Sequence, residues 1–213
     1  MHTLQALHHL NINMANSLFL LPTFALLFLT TVLARDPNLV VDFVGPNVST
    51  DFPGRYFTYT GLRGGAPPPA HGIGHKGVKS DEFPALNGMG VSMELVEFAP
   101  GAVNGPHTHP RGSELLFVLE GALRVGTTDS RGKLYKNDLQ KYDVFLFPEG
   151  LPHYEANLNK GEKAVVVMMF GSADAGFVSL SQSLFGSGIS DEVLMKTLKV
   201  SAETIQELKD AQK

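Results

Sequence analysis

The segment GAVNGPHTHPRGSELLFVLEG (residues 101–121) places two histidines one residue apart and a glutamate five residues after the second. On a β-strand, residues i and i+2 face the same side, so His107 and His109 can share a metal ion. Glu114 would point away on an unbroken strand, but an intervening proline and glycine interrupt the strand and can turn it back. The alternative is a chance HxH pair in a loop, and spacing alone leaves both interpretations open.

A third histidine near a turn, His153, follows PEGLP (148–152), which ends the apolar run DVFLF (143–147). Three neutral imidazoles and one carboxylate suit Mn(II), Fe(II), Ni(II), Zn(II) or Cu(II), and not calcium or magnesium. In octahedral geometry, four protein ligands leave two positions open, which a catalytic metal needs and a structural metal lacks. The candidate ligands are therefore His107, His109, Glu114 and His153.

Short apolar or alternating runs, separated by Gly, Pro and Asn/Asp clusters, dominate the chain from Val91 onward. This pattern predicts an all-β sandwich or barrel built from many short strands. We see no internal repeat, so we expect one barrel over residues 91–185. The runs are VSMELVEF (91–98), LLFVLEGALRV (115–125), KLYKNDLQ (133–140), DVFLFP (143–148) and AVVVMMF (164–170).

The segments on either side of the predicted barrel have a different character. Residues 35–90 are rich in Pro, Gly and Asp, so we expect an extended, irregular N-terminal arm packed on the barrel. Residues 186–213 contain two helical patterns with Ser190 and Ser201 as N-cap candidates, which predicts a short C-terminal helical unit.

The composition excludes several classes of protein. The chain of 213 residues has a formal net charge of −4 and no basic block, which argues against nucleic-acid binding. It contains no cysteine, which excludes disulfides, zinc–thiolate sites, iron–sulfur clusters and thiol nucleophiles. Its length and its 43% hydrophobic content support one compact domain with a substantial core.

Residues 18–33, LFLLPTFALLFLTTVL, form an uncharged apolar run that is short for a membrane span and suits a signal peptide. We predict a signal peptide over residues 1–34 and a secreted mature chain without stable membrane insertion. No Lys or Arg precedes the run, and Met14 is an alternative start. The alternative interpretation is a membrane anchor or a buried helix. In a secreted chain, the sequon at Asn47 predicts N-glycosylation.

Two motifs in the right order carry a family resemblance. The segment 101–121 matches G-x5-H-x-H-x4-E-x6-G at every fixed position. The segment 142–157 matches G-x5-P-x-G-x2-H-x3-N at Pro148, Gly150, His153 and Asn157, with Tyr142 in place of the leading glycine. These are the two motifs of the cupins, and the chain resembles the plant germin-like proteins among them. FTYTG (57–61), FPALNG (83–88) and LFGSGISDEVLMK (184–196) also resemble that family.

The resemblance implies a cupin jelly-roll barrel with a metal, usually manganese, held by His107, His109, Glu114 and His153. It implies a homo-oligomer, a hexamer built as a trimer of dimers, in the apoplast or cell wall. The implied activity is that of a superoxide dismutase-type oxidoreductase with a role in defence or wall development. The alternative is a non-catalytic metal-binding storage, receptor or wall-associated protein, so the sequence leaves open whether the chain is an enzyme.

Two departures from the germin pattern bear on function. The N-terminal cysteine pair of germins is missing, as in some germin-like branches. Oxalate-oxidising germins present two asparagines near the metal; Asn104 matches one of them, but Glu94 stands at the position of the other. A carboxylate pointing inward would repel a dianionic substrate, whereas one facing solvent would do nothing. The amide donor is lost in either case, which disfavours oxalate oxidation.

Other polar residues near these motifs receive simpler interpretations. Asn104 and Asn157 are candidates to support the ligands or to contact substrate, and we expect Asn157 to cap or turn the chain after the strand that begins at His153. We expect His71 and His75, in AHGIGHKG (70–77), on a surface loop. Arg111 is expected to form a structural ion pair.

Overall fold

The computed structural model describes residues 53–68 and 72–213, so the predicted signal peptide, Asn47 and His71 lie outside the described residues. Ten strands lie within the described part of the chain. They are β1 (Ile73–Val78), β2 (Ser92–Phe98), β3 (Val103–Thr108), β4 (Glu114–Glu120), β5 (Ala122–Thr128), β6 (Leu134–Gln140), β7 (Val144–Phe147), β8 (His153–Ala156), β9 (Ala164–Phe170) and β10 (Val178–Ser179).

The strands form two five-stranded antiparallel sheets. The first has the order β1-β2-β9-β4-β7 and the second the order β10-β3-β8-β5-β6. Strands that follow one another in sequence often lie in different sheets, as β3 and β4 do, or β7 and β8. This alternation between sheets is that of a jelly roll, so the predicted all-β class and cupin-type barrel are confirmed.

The core lies between the two sheets and follows the period-two pattern of the strands. In β4, Glu114, Leu116 and Val118 are buried, whereas Leu115 is exposed. Each large apolar side chain buried in this way contributes about 1.5–3 kcal/mol. The largest fully buried apolar side chains of the barrel are Phe98, Phe147, Leu116, Leu123, Val96, Val118 and Val125.

The expectation of irregular chain over residues 35–90 is wrong at Ile73–Val78, which forms β1 and pairs with β2 along its whole length. The segment IGHKGV has little strand propensity, so the pairing with β2 decides its conformation. Gly74 is required there, because a Cβ atom would overlap the carbonyl oxygen of Ala66. The boundaries predicted for the arm, barrel and helical unit stay predictions.

Short helical turns lie on either side of β1 in the N-terminal region. They are α1 (Pro53–Tyr56) and two 3-10 turns, Gly61–Gly64 and Pro84–Leu86. Tyr59 and Phe83 bring the two 3-10 turns together, with ring centroids 5.7 Å apart. These turns and the first sheet border an apolar cavity.

The predicted C-terminal helices are confirmed as α2 (Asp191–Leu198) and α3 (Ala202–Asp210), and a π-helical turn, Gln182–Gly186, precedes them. Ser201 caps α3 by accepting a hydrogen bond from the Thr204 backbone N–H. Ser190 occupies the N-cap position of α2 but makes no side-chain cap hydrogen bond. None of the helices in the described part of the chain is long and apolar enough to cross a membrane.

Candidate metal centre

The four candidate ligands come from three strands in two sheets. His107 lies on β3 and His109 directly follows that strand, while His153 begins β8 of the same sheet and is paired with His107. Glu114 begins β4 in the opposite sheet, where it is paired with Phe147 and Phe170. The interruption of the strand that the sequence predicts between His109 and Glu114 is therefore the point where the chain crosses from one sheet to the other.

These four side chains meet inside the barrel. Their ligand atoms all lie within 4.8 Å of one another, so the group could hold a metal ion. Exposure ranges only from 1% for His107 and Glu114 to 7% for His109. Buried ionisable groups brought so close are costly unless a proton or a cation lies between them.

Each histidine of the cluster is oriented by a backbone carbonyl oxygen. Because a carbonyl oxygen only accepts hydrogen bonds, the Nδ1 atom of each ring carries the proton and donates it. In the neutral ring, the Nε2 atom then holds the lone pair that a metal needs. The bonds run from His107 to Gly105 (2.9 Å), from His153 to Leu151 (2.8 Å) and from His109 to Gly176.

Glu114 has the environment expected of a metal ligand. Both of its carboxylate oxygens are buried, and neither has a hydrogen-bond partner in the described part of the chain. Its Oε2 atom lies 3.0 Å from Nε2 of His109 and 3.6 Å from Nε2 of His153. When the rings are neutral, the lone pairs of both Nε2 atoms point at the carboxylate oxygen with no proton between them. A cation bound there would interact with all of these lone pairs at once.

The pKa values of the cluster follow from burial and from these contacts. Burial, helped by the neighbouring His153, lowers the pKa of His107 to about 4. Burial opposes ionisation of Glu114 and His109 as well, but their mutual contact outweighs it: the pKa of Glu114 is lowered and that of His109 is raised. Both shifts favour a proton in the contact between His109 and Glu114 when no metal is bound, and metal binding would displace such a proton.

A pH dependence follows for the metal-free protein. The pKa of His107 is about 4 in the folded chain and 6.5 in a model peptide, so between these values only the unfolded chain binds the proton. Stability should therefore fall as the pH falls from 6.5 to 4. We expect the unfolding midpoint in urea to drop more steeply over this window for the wild type than for His107→Gln. If the urea midpoint fell equally steeply with pH in both proteins, the lowered pKa of His107 would not be the cause.

A cavity of about 230 Å³ adjoins the cluster, and His107 and His109 form part of its wall. The Glu94 side chain lines the same cavity, so of the two orientations that the sequence left open the structure has the inward one. Its carboxylate lies 3.6 Å from Nδ1 of His75 and 3.9 Å from Nζ of Lys79. The contact with His75, then the nearby positive charges, lower the pKa of Glu94 although burial opposes this. Glu94 is therefore an ionised group in the cavity wall.

His75 is exposed, as the sequence suggested, but it lies on β1, opposite Val96, and not in a loop. The loop was expected for the same reason that β1 was missed, because this glycine-rich segment takes its conformation from its pairing with β2. This register carries the His75 side chain to the cavity beside Glu94.

Comparison with known proteins agrees with this fold and this cluster. Residues 71–206 match the cupin family. Germin-like protein 9-3 of Oryza sativa subsp. japonica is 40% identical over 92% of this chain and 96% of its own length. Germin-like protein 9-1 of the same plant is 41% identical over 88% of this chain and 78% of its own. The chain belongs to the germin-like proteins of the cupin family.

Solved structures similar to this germin-like protein include two of oxalate oxidase. One, described by its spectroscopy and mechanism, has a TM-score of 0.74 and 31% identity over 83% of this chain and 98% of its own. The other, a complex with the substrate analogue glycolate, has the same TM-score and coverage and 32% identity. These likenesses confirm the jelly roll.

The two asparagines singled out in the sequence lie in different environments. Asn104 lines the cavity and donates from Nδ2 to Oε2 of Glu155 at 2.9 Å. Asn157 is fully buried, and its amide donates to the carbonyl oxygens of Phe98, Ala99 and Glu162. Asn157 thus fastens the turn after β8, as expected, and it is absent from the cavity wall.

Glu155 is a buried group that the sequence analysis missed. It is fully buried on β8, two residues after His153 and therefore on the same face, which is the signal that could have found it. Burial, and then the negative charge of Glu114, raise its pKa well above the ordinary value, while the bond from Asn104 opposes this. The germin-like protein therefore holds, beside its candidate ligands, a carboxyl group whose burial favours the neutral form.

The loop after β9 completes the site. Arg111 donates to the backbone oxygen and the carboxylate of Asp174, each at 2.8 Å, which confirms the expected ion pair. This contact fixes the loop that carries Gly176, the acceptor for His109, and Phe177, whose ring stacks on His107 with centroids 4.7 Å apart. The role of Phe177 had no signal in the sequence, since it depends on a contact between residues 70 positions apart.

Proposed function

We propose that this germin-like protein is a secreted, manganese-binding oxidoreductase of the superoxide dismutase type that acts in the apoplast or cell wall, in defence or wall development. The observation that carries the proposal is the buried cluster of three histidines and Glu114, whose carboxylate oxygens lack hydrogen-bond partners in the described residues. The cluster adjoins a cavity large enough for a small molecule such as superoxide.

His107, His109, Glu114 and His153 would hold the manganese ion. Bound there, manganese would supply the one-electron redox chemistry that superoxide dismutation requires. The chain would hold the rings in place through the carbonyl oxygens that accept from Nδ1, and Phe177 would cover His107 from solvent. Lys79, 3.9 Å from Glu94, would offset the negative charge that an approaching superoxide anion meets.

The deciding experiment measures manganese and superoxide dismutation on the same sample of purified, secreted protein. We expect about one ion per chain, as a single set of four ligands allows, and an activity that follows the manganese content. Free manganese at equal concentration is the control. Bound manganese with no activity above that control would refute the enzyme and favour a non-catalytic binding protein.

Oxalate oxidation is disfavoured in spite of the likeness to oxalate oxidase, because Glu94 presents a carboxylate to the cavity. Wild-type protein is expected to form hydrogen peroxide from oxalate no faster than the background of the assay. Glu94→Asn removes a charge and restores an amide donor, so we expect peroxide formation to rise at least about tenfold, since one nearby like charge costs a few kcal/mol. A coupled peroxidase assay measures the rate.

The matched control for this prediction is Glu120→Asn, which removes an exposed carboxylate at the far end of β4. It should leave the response to oxalate unchanged. Strong peroxide formation by the wild type would contradict the role given to Glu94 and would make oxalate the substrate.

We further propose that the mature chain forms a hexamer, a trimer of dimers, that it associates with the cell wall and that Asn47 carries a glycan. The family membership supports the assembly and the location. Light scattering of the secreted protein, before and after enzymatic removal of N-linked glycans, tests the hexamer and the glycan.

A further inference from the structure

A second cavity, of about 420 Å³, lies between the 3-10 turns of the N-terminal region and the first sheet. Tyr59 and Leu62 line it from the first turn and Phe83 and Leu86 from the second. The end of the sheet, including Met93 of β2, closes the other side. This volume falls in the range of about 300–1,000 Å³ that is usual for small-molecule sites.

The wall of this apolar cavity carries no charged side chain among the described residues. Aromatic, aliphatic and methionine side chains make up nearly all of it. A bound carboxylate, phosphate or ammonium group would therefore lose its hydration without gaining a counter-ion, which is unfavourable. The cavity suits an uncharged apolar molecule.

One buried hydroxyl in the wall lacks a partner. Ser92 begins β2 and is only 6% exposed, and its Oγ atom makes no hydrogen bond within the part of the chain described. It lines both this cavity and the one beside the metal cluster, as does Phe170. Because buried hydroxyl groups are almost always hydrogen-bonded, the free Ser92 hydroxyl marks the place for a polar atom of a ligand.

We propose that the apolar cavity binds a small, uncharged aromatic or aliphatic molecule with one hydroxyl or carbonyl group, which hydrogen-bonds to Ser92. The body of the ligand lies against Leu62, Phe83 and Met93, and its polar atom points to the wall shared with the metal cavity. This site needs no metal ion, so the proposal stands or falls independently of the proposed function.

The test is the binding of three related probes to the purified, secreted protein, with and without manganese, by titration calorimetry. The neutral 2-naphthol is expected to bind, and the charged 2-naphthoate is not. Naphthalene should bind about 3- to 10-fold more weakly than 2-naphthol, because it lacks one hydrogen bond. Ser92→Ala should weaken 2-naphthol by the same factor and leave naphthalene unchanged. Leu62→Trp should fill the cavity and abolish binding of both.

Two matched variants control for nonspecific effects: Ser130→Ala, in the exposed β5–β6 loop, and Leu134→Trp, at the exposed start of β6. Both should bind 2-naphthol as the wild type does. The proposal is overturned if 2-naphthol does not bind, if Ser92→Ala binds it equally well, or if Leu62→Trp retains binding and so places the probe elsewhere. Ser92→Ala is a mild change and decides the question alone should Leu62→Trp not fold.

Discussion

His153→Ala is expected to lower the affinity for manganese at least about 100-fold and to abolish metal-dependent dismutation. Loss of a supporting hydrogen bond to a ligand already costs about 10- to 100-fold, and this change removes the ligand itself. The Nε2 atom of His153 is buried without a hydrogen-bond partner in the described residues, as expected of an atom that faces a metal ion. The measurement is manganese content after dialysis against a weak chelator.

His75→Ala is the matched control for this prediction. His75 lines the cavity beside the cluster but is not one of the four clustered ligands. This variant should keep its manganese. The ligand assignment fails if His153→Ala retains metal as well as His75→Ala does, provided that both proteins elute at the wild-type size.

Phe147→Ala should cause the largest loss of stability, about 3–5 kcal/mol in the free energy of unfolding, because truncating a buried phenylalanine leaves a cavity. Phe147 is fully buried at the end of β7. Its ring stacks on His153 with centroids 4.5 Å apart and lies 5.0 Å from the ring of Phe145. Urea unfolding of the metal-free protein gives the difference directly, without a contribution from metal binding.

Val144→Ala, in the same strand, provides the comparison. Val144 is 52% exposed, so its truncation should change stability by no more than about 0.5 kcal/mol. Similar losses for the two variants would mean that Phe147 is not part of the packed core. A large loss of manganese in Phe147→Ala would show in addition that its ring helps to hold His153.

Much of the barrel could be predicted from local patterns. Short apolar runs bounded by turn residues, such as LLFVLEG (115–121), predict strands. In the structure its side chains alternate, with Leu116 and Val118 buried and Leu115 exposed. The two helices at the C-terminus each have an acidic first turn, and Ser201 caps the second of them. Segments with weak local signals were harder: IGHKGV (73–78) becomes a strand only because β2 pairs with it.

For the candidate site, the sequence determined the ligand types. Two motifs place three histidines and one glutamate at spacings that suit a metal, and the same motifs predict the jelly roll that brings them together. Family membership depends on the same residues, so it too was readable from the chain. These features are local, because each motif spans two consecutive strands and the turn between them.

Only the tertiary structure decided what surrounds those ligands. Glu94 faces the cavity since β2 is held between β1 and β9, and Phe177 covers His107 because the Arg111–Asp174 pair holds its loop in place. The Ser92 hydroxyl, which has no hydrogen-bond partner among the described residues, lies where two cavities share a wall. Each of these contacts joins residues far apart in the chain, and the strand order of the two sheets, which local patterns do not encode, sets which of them meet.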